Sequence, residues 1–444
     1  MCSSFSAISI TTLPNQQDFL IANSYNFCLK VTLTTQIGEI IMKVSNGRIH
    51  RALPGPSIIP DKVLQAMQRP APNIYGGELE DITMSILSDI SKLAGSKGRV
   101  ALYISNGHGV WEAALTNLFN EDDQILTISN GVFGKHWGNI ASKLGIEVVH
   151  LEYGMDRAFE FNDLEKALSE DKDKKIKGIL VVQTDTASSM LLNIEEISKL
   201  KQSLNHPALL LVDSIACFGC DDMKMDKWGV DLLLTASQKG LMTPPGLGYL
   251  VIGERAEIQA KKVIKKSAYW DWGPRLDPTN FYEIYFGTAP THLLFAQKAA
   301  LEIMNAEGKD NIIKRHEILA KTVWKAVDIW SQEGVLKFNV PNKENRSHAV
   351  TTLVAKNYDL LPFKNWVEKN TGVELGIGLG FEGPEYFDGN SAFRVAHMGH
   401  LNPHMLLGVL ASLEMGLMAT NIPFKKGGLD NAIDYLANSI NKES

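Results

Sequence analysis

A lysine that follows a buried strand could form a covalent bond to a carbonyl compound. Lys239 stands in "DLLLTASQKGLMTPPG", directly after an apolar run and before a Pro-Pro-Gly turn. Burial favours the neutral amine over the ammonium ion, and a neutral lysine amine attacks carbonyl carbon to give a Schiff base. Taken alone, the pattern is equally typical of a surface lysine whose aliphatic stem is buried.

A carboxylate ends a second apolar run. Asp213 closes "ALLLVD", and open α/β sheets bind ligands just beyond the carboxyl ends of such strands. A buried carboxylate is unfavourable unless a positive charge or hydrogen-bond donors meet it. Taken alone, Asp213 could also cap the next turn or pair with a structural arginine.

Together the two side chains match the needs of pyridoxal 5'-phosphate (PLP). The aldehyde of this cofactor bonds a lysine, and its pyridine nitrogen stays protonated beside a carboxylate. Its phosphate needs a cradle, and in "SNGHGVWEAAL" Asn106, Gly107 and His108 lead into a helix whose N-terminus favours an anion. A tight strand-to-helix turn would look the same. The third glycine of a dinucleotide fingerprint is missing, which counts against NAD.

The elements that must position these residues alternate between strand and helix. Apolar runs without polar alternation are typical of strands buried on both faces, and the segments between them have helical spacing. The runs are "VALYIS", "QILTIS", "IEVVHLEY", "IKGILVVQT", "ALLLVDS", "VDLLLTAS" and "GYLVIG". They predict an α/β domain with a mostly parallel mixed sheet.

At 444 residues the chain is long enough for two domains. Two long helices are predicted over 291–308 and 311–334, each ending at a glycine. A shorter strand-helix alternation follows. We predict a large domain over 42–310 and a smaller C-terminal α/β domain over 311–444. Residues 1–41 are polar and rich in Thr and Ser, and could be a loosely ordered arm or a wrongly assigned start.

Composition and charge exclude several classes of partner. The chain is 45% hydrophobic and 21% charged, as in soluble globular proteins, and its net charge is −6 without a dense Lys/Arg cluster. We therefore expect no nucleic-acid partner and no acidic-membrane partner. No apolar run is long enough to span a bilayer, and residues 1–41 lack the basic region of a signal peptide. Four scattered cysteines favour a reducing, cytoplasmic location.

Six segments, in this order, resemble the class V aminotransferases of PLP fold type I, specifically the alanine/serine–glyoxylate group. The resemblance covers about residues 50–420. The segments are "SNGHGVWEAAL", "SNGVFGKHWGN", "VDSIACFG", "TASQKGLMTPPG", "YFGTAP" and "FRVAHMGH". The implied fold has a large PLP-binding domain and a smaller C-terminal domain.

The resemblance assigns the cofactor contacts. It makes Lys239 the residue that bonds the cofactor aldehyde, Gln238 a phosphate contact and Asp213 the partner of the pyridine nitrogen. Phe133 stands where the family has a ring-stacking aromatic residue, often Trp. The phosphate loop falls on Asn106, Gly107 and His108, although a Ser or Thr is commoner at the first of these positions.

Further roles follow from the same resemblance. Ser188 aligns with a residue near the phenolic oxygen of the cofactor, but "TDTASSM" departs from the family pattern and Thr186 is as good a candidate. Tyr285 and Thr288 resemble a pair that reaches the phosphate of the other subunit, which implies a homodimer with shared active sites. Arg394 resembles the arginine that grips the substrate carboxylate, for which a planar fork is well suited.

The implied activity is a ping-pong amino transfer from alanine or serine to glyoxylate or pyruvate. Pyridoxamine–pyruvate and aminoethylphosphonate transaminases resemble the group too, and a PLP lyase is a further alternative. A cysteine desulfurase needs a C-terminal thiol, and no cysteine follows Cys220. A silent cofactor-binding protein would not need both Lys239 and Asp213.

Three other patterns are assigned no chemistry. Cys217 and Cys220 have redox or zinc spacing without a second pair, so we predict packed thiols. A histidine cluster lacks a carboxylate ligand beside it, and we predict no metal site. The glycine-rich segment 376–383 is predicted to be a mobile loop over the substrate. The cluster consists of His397, His400 and His404.

Overall fold

Seven strands form the main sheet of the structure, a computed structural model that describes residues 44–264 and 267–441. In spatial order they are β2 (Arg99–Ser105), β10 (Gly246–Ile252), β9 (Leu232–Ala236), β8 (Leu209–Asp213), β5 (Ile176–Val182), β3 (Gln124–Ser129) and β4 (Glu147–Glu152). Strand β10 is antiparallel to both of its neighbours, and the other neighbouring strands pair in parallel. The seven strands coincide with the seven predicted runs, and the mostly parallel mixed sheet is confirmed.

Helices cover both faces of this sheet, because each parallel connection must cross from one end of the sheet to the other. They are α1 (Asp61–Ala66), α2 (Glu78–Ala94), α3 (Gly107–Leu118), α4 (Val132–Lys143), α5 (Phe161–Glu170), α6 (Ile194–Ser203), α7 (Met225–Trp228), α8 (Glu254–Ala260), α9 (Gly273–Leu276) and α10 (Thr291–Glu307). One buried core contains Ile86 and Leu301, and a second contains Trp111 and Trp137. A short hairpin joins β6 (Thr184–Asp185) to β7 (Met190–Leu191).

A second sheet has five strands. In spatial order they are β1 (His50–Ala52), β13 (Val373–Ile377), β14 (Ala392–Ala396), β12 (Val350–Val354) and β11 (Lys337–Phe338). Only β1 and β13 pair in parallel. The helices of this part are α11 (Lys309–Trp330), α12 (Leu361–Thr371), α13 (Pro403–Ala419) and α14 (Gly428–Ile440), and they contribute to a third core. Short 3-10 helices span Phe281–Tyr285, Lys343–Asn345 and Pro384–Gly389.

Two boundaries differ from the sequence prediction. Strand β1 belongs to the smaller sheet, although we placed residues 50–52 in the large domain. Helix α11 ends at Trp330, before the glycine expected to cap it. Gly334 instead lies in close contact with the backbone of Trp330, because a Cβ at Gly334 would lie 2.2 Å from the Trp330 carbonyl oxygen.

The described residues from 45 onwards form one compact unit, so the division into two domains near residue 310 stays a prediction. The predicted extension, 1–41, lies outside the described residues. None of the helices in the described ranges combines the length and apolar character that crossing a membrane requires.

Candidate active site

Lys239 lies in the turn between β9 and β10, at the carboxyl end of the parallel strands. Its side chain lines a cavity together with Asp213. Burial lowers the pKa of the Lys239 ammonium group to about 8, and the nearby Arg394 guanidinium acts in the same direction, while Asp213 and Asp185 oppose it. A substantial fraction of Lys239 is therefore the neutral, nucleophilic amine near physiological pH.

A segment from the start of the described chain holds this lysine. The Lys239 Nζ donates a hydrogen bond to the Pro54 carbonyl oxygen, and Ser57 Oγ donates to the Lys239 carbonyl oxygen at 2.6 Å. Gly55 has φ of +100°, and a Cβ there would lie 2.7 Å from Lys239 Nζ. The positive φ favours glycine here, and residues 54–57 lie against the amine.

Asp213 ends strand β8 and is buried, with 3% of its surface exposed. Its Oδ2 accepts a hydrogen bond from Trp111 Nε1 at 2.7 Å, and its Oδ1 accepts one from the Ile215 backbone N–H at 2.7 Å. Burial raises the pKa of the Asp213 carboxyl to about 7, and the charge of Asp185 adds to this effect. A cation beside this carboxyl would favour its ionised form.

The predicted phosphate loop connects β2 to α3. Asn106 is the N-cap of α3, and its Oδ1 accepts from the backbone N–H groups of His108 at 3.1 Å and Gly109 at 3.3 Å. A Cβ at Gly107 would lie 2.7 Å from Ile215 Cδ1, so that glycine permits the close approach of the loop. The helix N-terminus faces the cavity, but a phosphate would share these amides with the Asn106 side chain.

The cavity has a volume of about 180 Å³, which suits one small cofactor. Gln238 Oε1 is buried there without a hydrogen-bond partner among the described residues, so the wall offers a polar atom to a ligand. Gln238 Oε1 is an acceptor, so the fit to PLP comes from the Lys239 amine, the Asp213 carboxyl and the N–H groups of the loop before α3. The predicted residues that line the cavity are Asn106, Gly107, His108, Phe133, Thr186, Asp213, Gln238 and Lys239.

Three predicted residues lie away from this cavity. Ser188 is buried and its Oγ donates to the Asn130 carbonyl oxygen, so of the two candidates for the phenolic oxygen only Thr186 lines the cavity. Tyr285 is buried within its own subunit and its hydroxyl is hydrogen-bonded to Thr83. Thr288 is exposed. A contact of Tyr285 and Thr288 with a partner's phosphate stays a prediction.

Arg394, in the middle of β14, does not line the cavity but contacts Thr186, which does. Its Nε donates to the Ile377 carbonyl oxygen at 2.7 Å, and its Nη1 donates to the Thr186 carbonyl oxygen at 3.2 Å. Burial lowers the pKa of Arg394 to about 10. Gly376 is opposite Arg394, and a Cβ there would lie 2.7 Å from Pro54 Cδ. The predicted loop at 376–383 therefore begins inside β13, and its mobility stays a prediction.

Sequence reasoning missed two residues of the site. Asp185 is buried, and its Oδ2 accepts from the Phe133 backbone N–H at 2.6 Å, which anchors the ring-stacking residue at the start of α4. Asp185 comes soon after the apolar run of β5, as Asp213 comes at the end of the apolar run of β8. This repeated pattern could have identified Asp185 from the sequence. The second residue is Trp111, whose buried indole N–H requires an acceptor and donates to Asp213.

The two cysteines and His397, which the sequence analysis assigns no chemistry, are buried in the protein. Cys217 and Cys220 are free, buried thiols, and burial raises the pKa of both. His397 is buried between Thr351 and the His348 carbonyl oxygen, and burial lowers its pKa to about 4. In the described part of the chain, no three His, Cys, Asp or Glu side chains come together as a metal ion would require.

Comparison with known proteins identifies the family. The sequence profile of "Aminotransferase class-V" matches residues 54–381. The chain belongs to the class-V aminotransferase family. The serine–glyoxylate aminotransferases of Methylorubrum extorquens and Arabidopsis thaliana are 32% and 33% identical to it, over 88% and 89% of this chain and 96% of each relative. The class-V resemblance found in the sequence is thereby confirmed, and the protein is an aminotransferase.

The fold agrees with solved structures of such enzymes. Pyridoxamine–pyruvate aminotransferase from Mesorhizobium loti superposes with a TM-score of 0.77 at 19% identity, covering 89% of this chain and 98% of that one. At this identity the likeness shows the fold alone. The predicted PLP fold type I is confirmed.

The depressed pKa of Lys239 predicts a pH effect on the cofactor-free protein. The pKa is about 8 in the folded state and 10.5 for an ordinary lysine, so between these values the unfolded chain binds more protons and stability rises with pH. We expect Lys239→Met to be more stable than wild type below pH 8, by up to about 3 kcal/mol. The difference should shrink towards pH 10.5, measured by urea unfolding.

The control is Lys166→Met on α5, because Lys166 is exposed. This variant should follow the wild-type pH profile. If the stabilities of Lys239→Met and Lys166→Met change in parallel between pH 8 and pH 10.5, the Lys239 amine is not desolvated in the folded protein.

Proposed function

We propose that this aminotransferase binds PLP through Lys239 and transfers the amino group of serine or alanine to glyoxylate or pyruvate. The observation that carries the proposal is one cavity lined by Lys239 and Asp213, with Arg394 hydrogen-bonded to the lining residue Thr186. The names of the two relatives at 32% and 33% identity support serine and glyoxylate as substrates.

Each residue of the cavity has a separate task. When bound, PLP supplies an electron sink for the charge left at the substrate Cα after loss of a proton. The Asp213 carboxylate would keep the pyridine nitrogen of the cofactor protonated, and the Phe133 ring would stack on the cofactor ring. Lys239, with a pKa of about 8, would hold the cofactor through its amine, and as a free amine it would take a proton from the substrate Cα.

Charge in the cavity supports a small monocarboxylic donor. Arg394 holds its guanidinium against the lining residue Thr186, and a substrate carboxylate would bind its fork. Among the described residues that line the cavity, Lys239 is the sole Lys or Arg. A second carboxylate, as in aspartate, would find no further cation in the wall.

A panel of amino donors and acceptors tests this proposal. Purified protein loaded with PLP is incubated with serine, alanine, aspartate, pyridoxamine or aminoethylphosphonate, each with glyoxylate or pyruvate, and both products are measured. We expect serine and alanine with glyoxylate to give the highest kcat/KM. Ammonia release from serine without an acceptor would indicate a PLP lyase, and preference for pyridoxamine or aminoethylphosphonate would replace the proposed donor.

Arg394→Lys should weaken binding of the amino donor more than it slows the chemical step. A point charge replaces a bidentate fork, so we expect kcat/KM for the amino donor to fall by about 100-fold, on the order of 3 kcal/mol, mainly through KM. The control is Arg51→Lys on β1, whose side chain is 58% exposed in an ion pair with Glu374. An unchanged donor KM in Arg394→Lys would remove Arg394 from the substrate site.

We also propose a cytoplasmic homodimer with shared active sites. The resemblance of Tyr285 and Thr288 to a partner-contacting pair supports it, as does the exposure of Thr288. The molecular mass of the protein in solution tests the dimer, and a monomer with full activity would contradict shared sites.

A further inference from the structure

The smaller sheet contacts the candidate active site at the turn between β6 and β7, residues 186–189, called the hairpin turn below. Two side chains of that sheet bind carbonyl groups of this turn. Arg394 Nη1 donates to the Thr186 carbonyl oxygen at 3.2 Å, and Thr352 Oγ1 donates to the Ala187 carbonyl oxygen at 3.0 Å. Because Thr186 also lines the candidate active-site cavity, the hairpin turn connects the cavity wall to the proposed substrate arginine.

Thr352 lies beside Arg394 in the smaller sheet. Thr352 on β12 is directly opposite Arg394 on β14 in an antiparallel pair, and 2% of the Thr352 surface is exposed. Directly opposite residues of such a pair point to the same face of a sheet, so both side chains reach the hairpin turn. The register of the two strands therefore places a hydroxyl and a guanidinium on consecutive carbonyl groups.

The Thr352 hydroxyl has a second partner in the hairpin turn. Ser189 Oγ lies 2.5 Å from Thr352 Oγ1. A hydroxyl has a single hydrogen, and that of Thr352 is given to the Ala187 carbonyl oxygen, so Ser189 is the donor in this pair. Ser189 has φ of +66°, a left-handed conformation that favours glycine and that surrounding contacts must maintain. Thr352 thus binds two residues of the hairpin turn with one side chain.

The other side of the hairpin turn is held by Asp185. Its Oδ1 accepts from the Ala187 backbone N–H at 2.9 Å, and its Oδ2 accepts from the Phe133 backbone N–H at 2.6 Å. The Ala187 carbonyl oxygen has no donor other than Thr352 Oγ1 in the described part of the chain. Without that hydroxyl the carbonyl would be buried and unpaired, which favours a shift of the hairpin turn.

The hairpin turn fixes the orientation of Arg394. Its Nε donates to the Ile377 carbonyl oxygen at 2.7 Å, and its Nη1 donates to the Thr186 carbonyl oxygen. Its Nη2 makes no hydrogen bond to a described residue, and it keeps accessible surface because it is not among the inaccessible atoms that lack a partner. The two bonds therefore fix the guanidinium plane and leave Nη2 for a substrate carboxylate.

We propose that Thr352 is a positioning residue for substrate binding, because it holds the turn whose Thr186 carbonyl group orients Arg394. This inference rests on the proposed function, in which Arg394 binds the substrate carboxylate. Thr352 does not line the cavity of Lys239, so it acts through the hairpin turn. Loss of its hydroxyl should weaken binding of the amino donor and leave the chemical step nearly unchanged.

Thr352→Val in the full-length PLP-loaded protein tests the proposal, since valine keeps the shape of the side chain and lacks the hydroxyl. The dissociation constant of 2-methylalanine is followed through the cofactor absorbance, because this amino acid has no Cα hydrogen to transfer. We expect this constant, and KM for the preferred donor, to rise about three- to tenfold, the usual effect of one lost hydrogen bond. We expect kcat to stay close to wild type, and Thr352→Ser, which retains the hydroxyl, to restore donor binding.

Thr351→Val is the matched control. Thr351 also lies in β12 with 3% of its surface exposed, but its Oγ1 bonds Trp324 and His397 on the other face of the strand. This variant loses a buried hydroxyl of the same kind, so we expect lower thermal stability with wild-type donor affinity. Equal losses of affinity in Thr351→Val and Thr352→Val, or wild-type affinity in Thr352→Val, would overturn the proposal.

Arg394→Lys separates the role of Thr352 from the proposed function. Unchanged donor affinity in Arg394→Lys would contradict the proposed roles of both residues, whereas weaker binding in Arg394→Lys alone would contradict only that of Thr352. In the Arg394→Lys background, Thr352→Val should have little further effect, and additive losses would show that Thr352 does not act through the guanidinium. Should thermal melting show that Thr352→Val does not fold, Ser189→Ala decides, and an unchanged affinity there overturns the proposal.

Discussion

Lys239→Ala should lower kcat for serine–glyoxylate transamination by about 10⁴-fold or more, because one side chain supplies both the nucleophile and the base. The amine that would bond the cofactor aldehyde is removed, and so is the group that would move the substrate Cα proton. Turnover is measured by product formation with saturating PLP.

Two controls separate this effect from unfolding. Lys166→Ala should retain wild-type kcat, since its side chain is exposed on α5. Added methylamine should restore part of the activity of Lys239→Ala, because the cavity left by the side chain admits a small amine. Activity of Lys239→Ala within tenfold of wild type would show that another residue performs the chemistry.

Asp213→Asn should lower kcat by about 10² to 10³-fold, the usual loss when one preorganised electrostatic contact is removed from a buried site. The amide oxygen can still accept one of the two hydrogen bonds, that of the Trp111 indole N–H, whereas the amide nitrogen would face the Ile215 backbone N–H and lose the other. The negative charge facing the cavity is lost, and with it the reason for a pyridine nitrogen to remain protonated.

Asp231→Asn is the matched control for this change. Asp231 is also buried, with 6% of its surface exposed, but it accepts from the Leu210 backbone N–H and pairs with Arg255 near the opposite end of β9. We expect lower thermal stability with kcat of the folded protein close to wild type. Equal kcat losses in both variants would mean that Asp213 acts on folding and not on the cofactor.

The sheet and the ends of its strands were predictable from local patterns. Each uninterrupted apolar run became a strand, and parallel strands bring their carboxyl ends to one edge of a sheet. Asp213 and Lys239 follow β8 and β9, which are direct neighbours, and they meet in one cavity. The chemistry of the site was therefore contained in two short segments of sequence.

Contacts between distant segments were not predictable in this way. Pro54 accepts a hydrogen bond from a lysine 185 positions later, and β1 pairs with β13 from the other end of the described chain. Neither contact leaves a periodic signal, since each depends on the final arrangement of the two sheets.

Reduction of the PLP-loaded protein with borohydride, followed by peptide mass spectrometry, tests the central claim most directly. The account predicts one pyridoxyl group per chain, attached to Lys239, and its loss when serine is added before the reductant. Attachment to a different lysine, or no attachment in protein that transaminates, would contradict it.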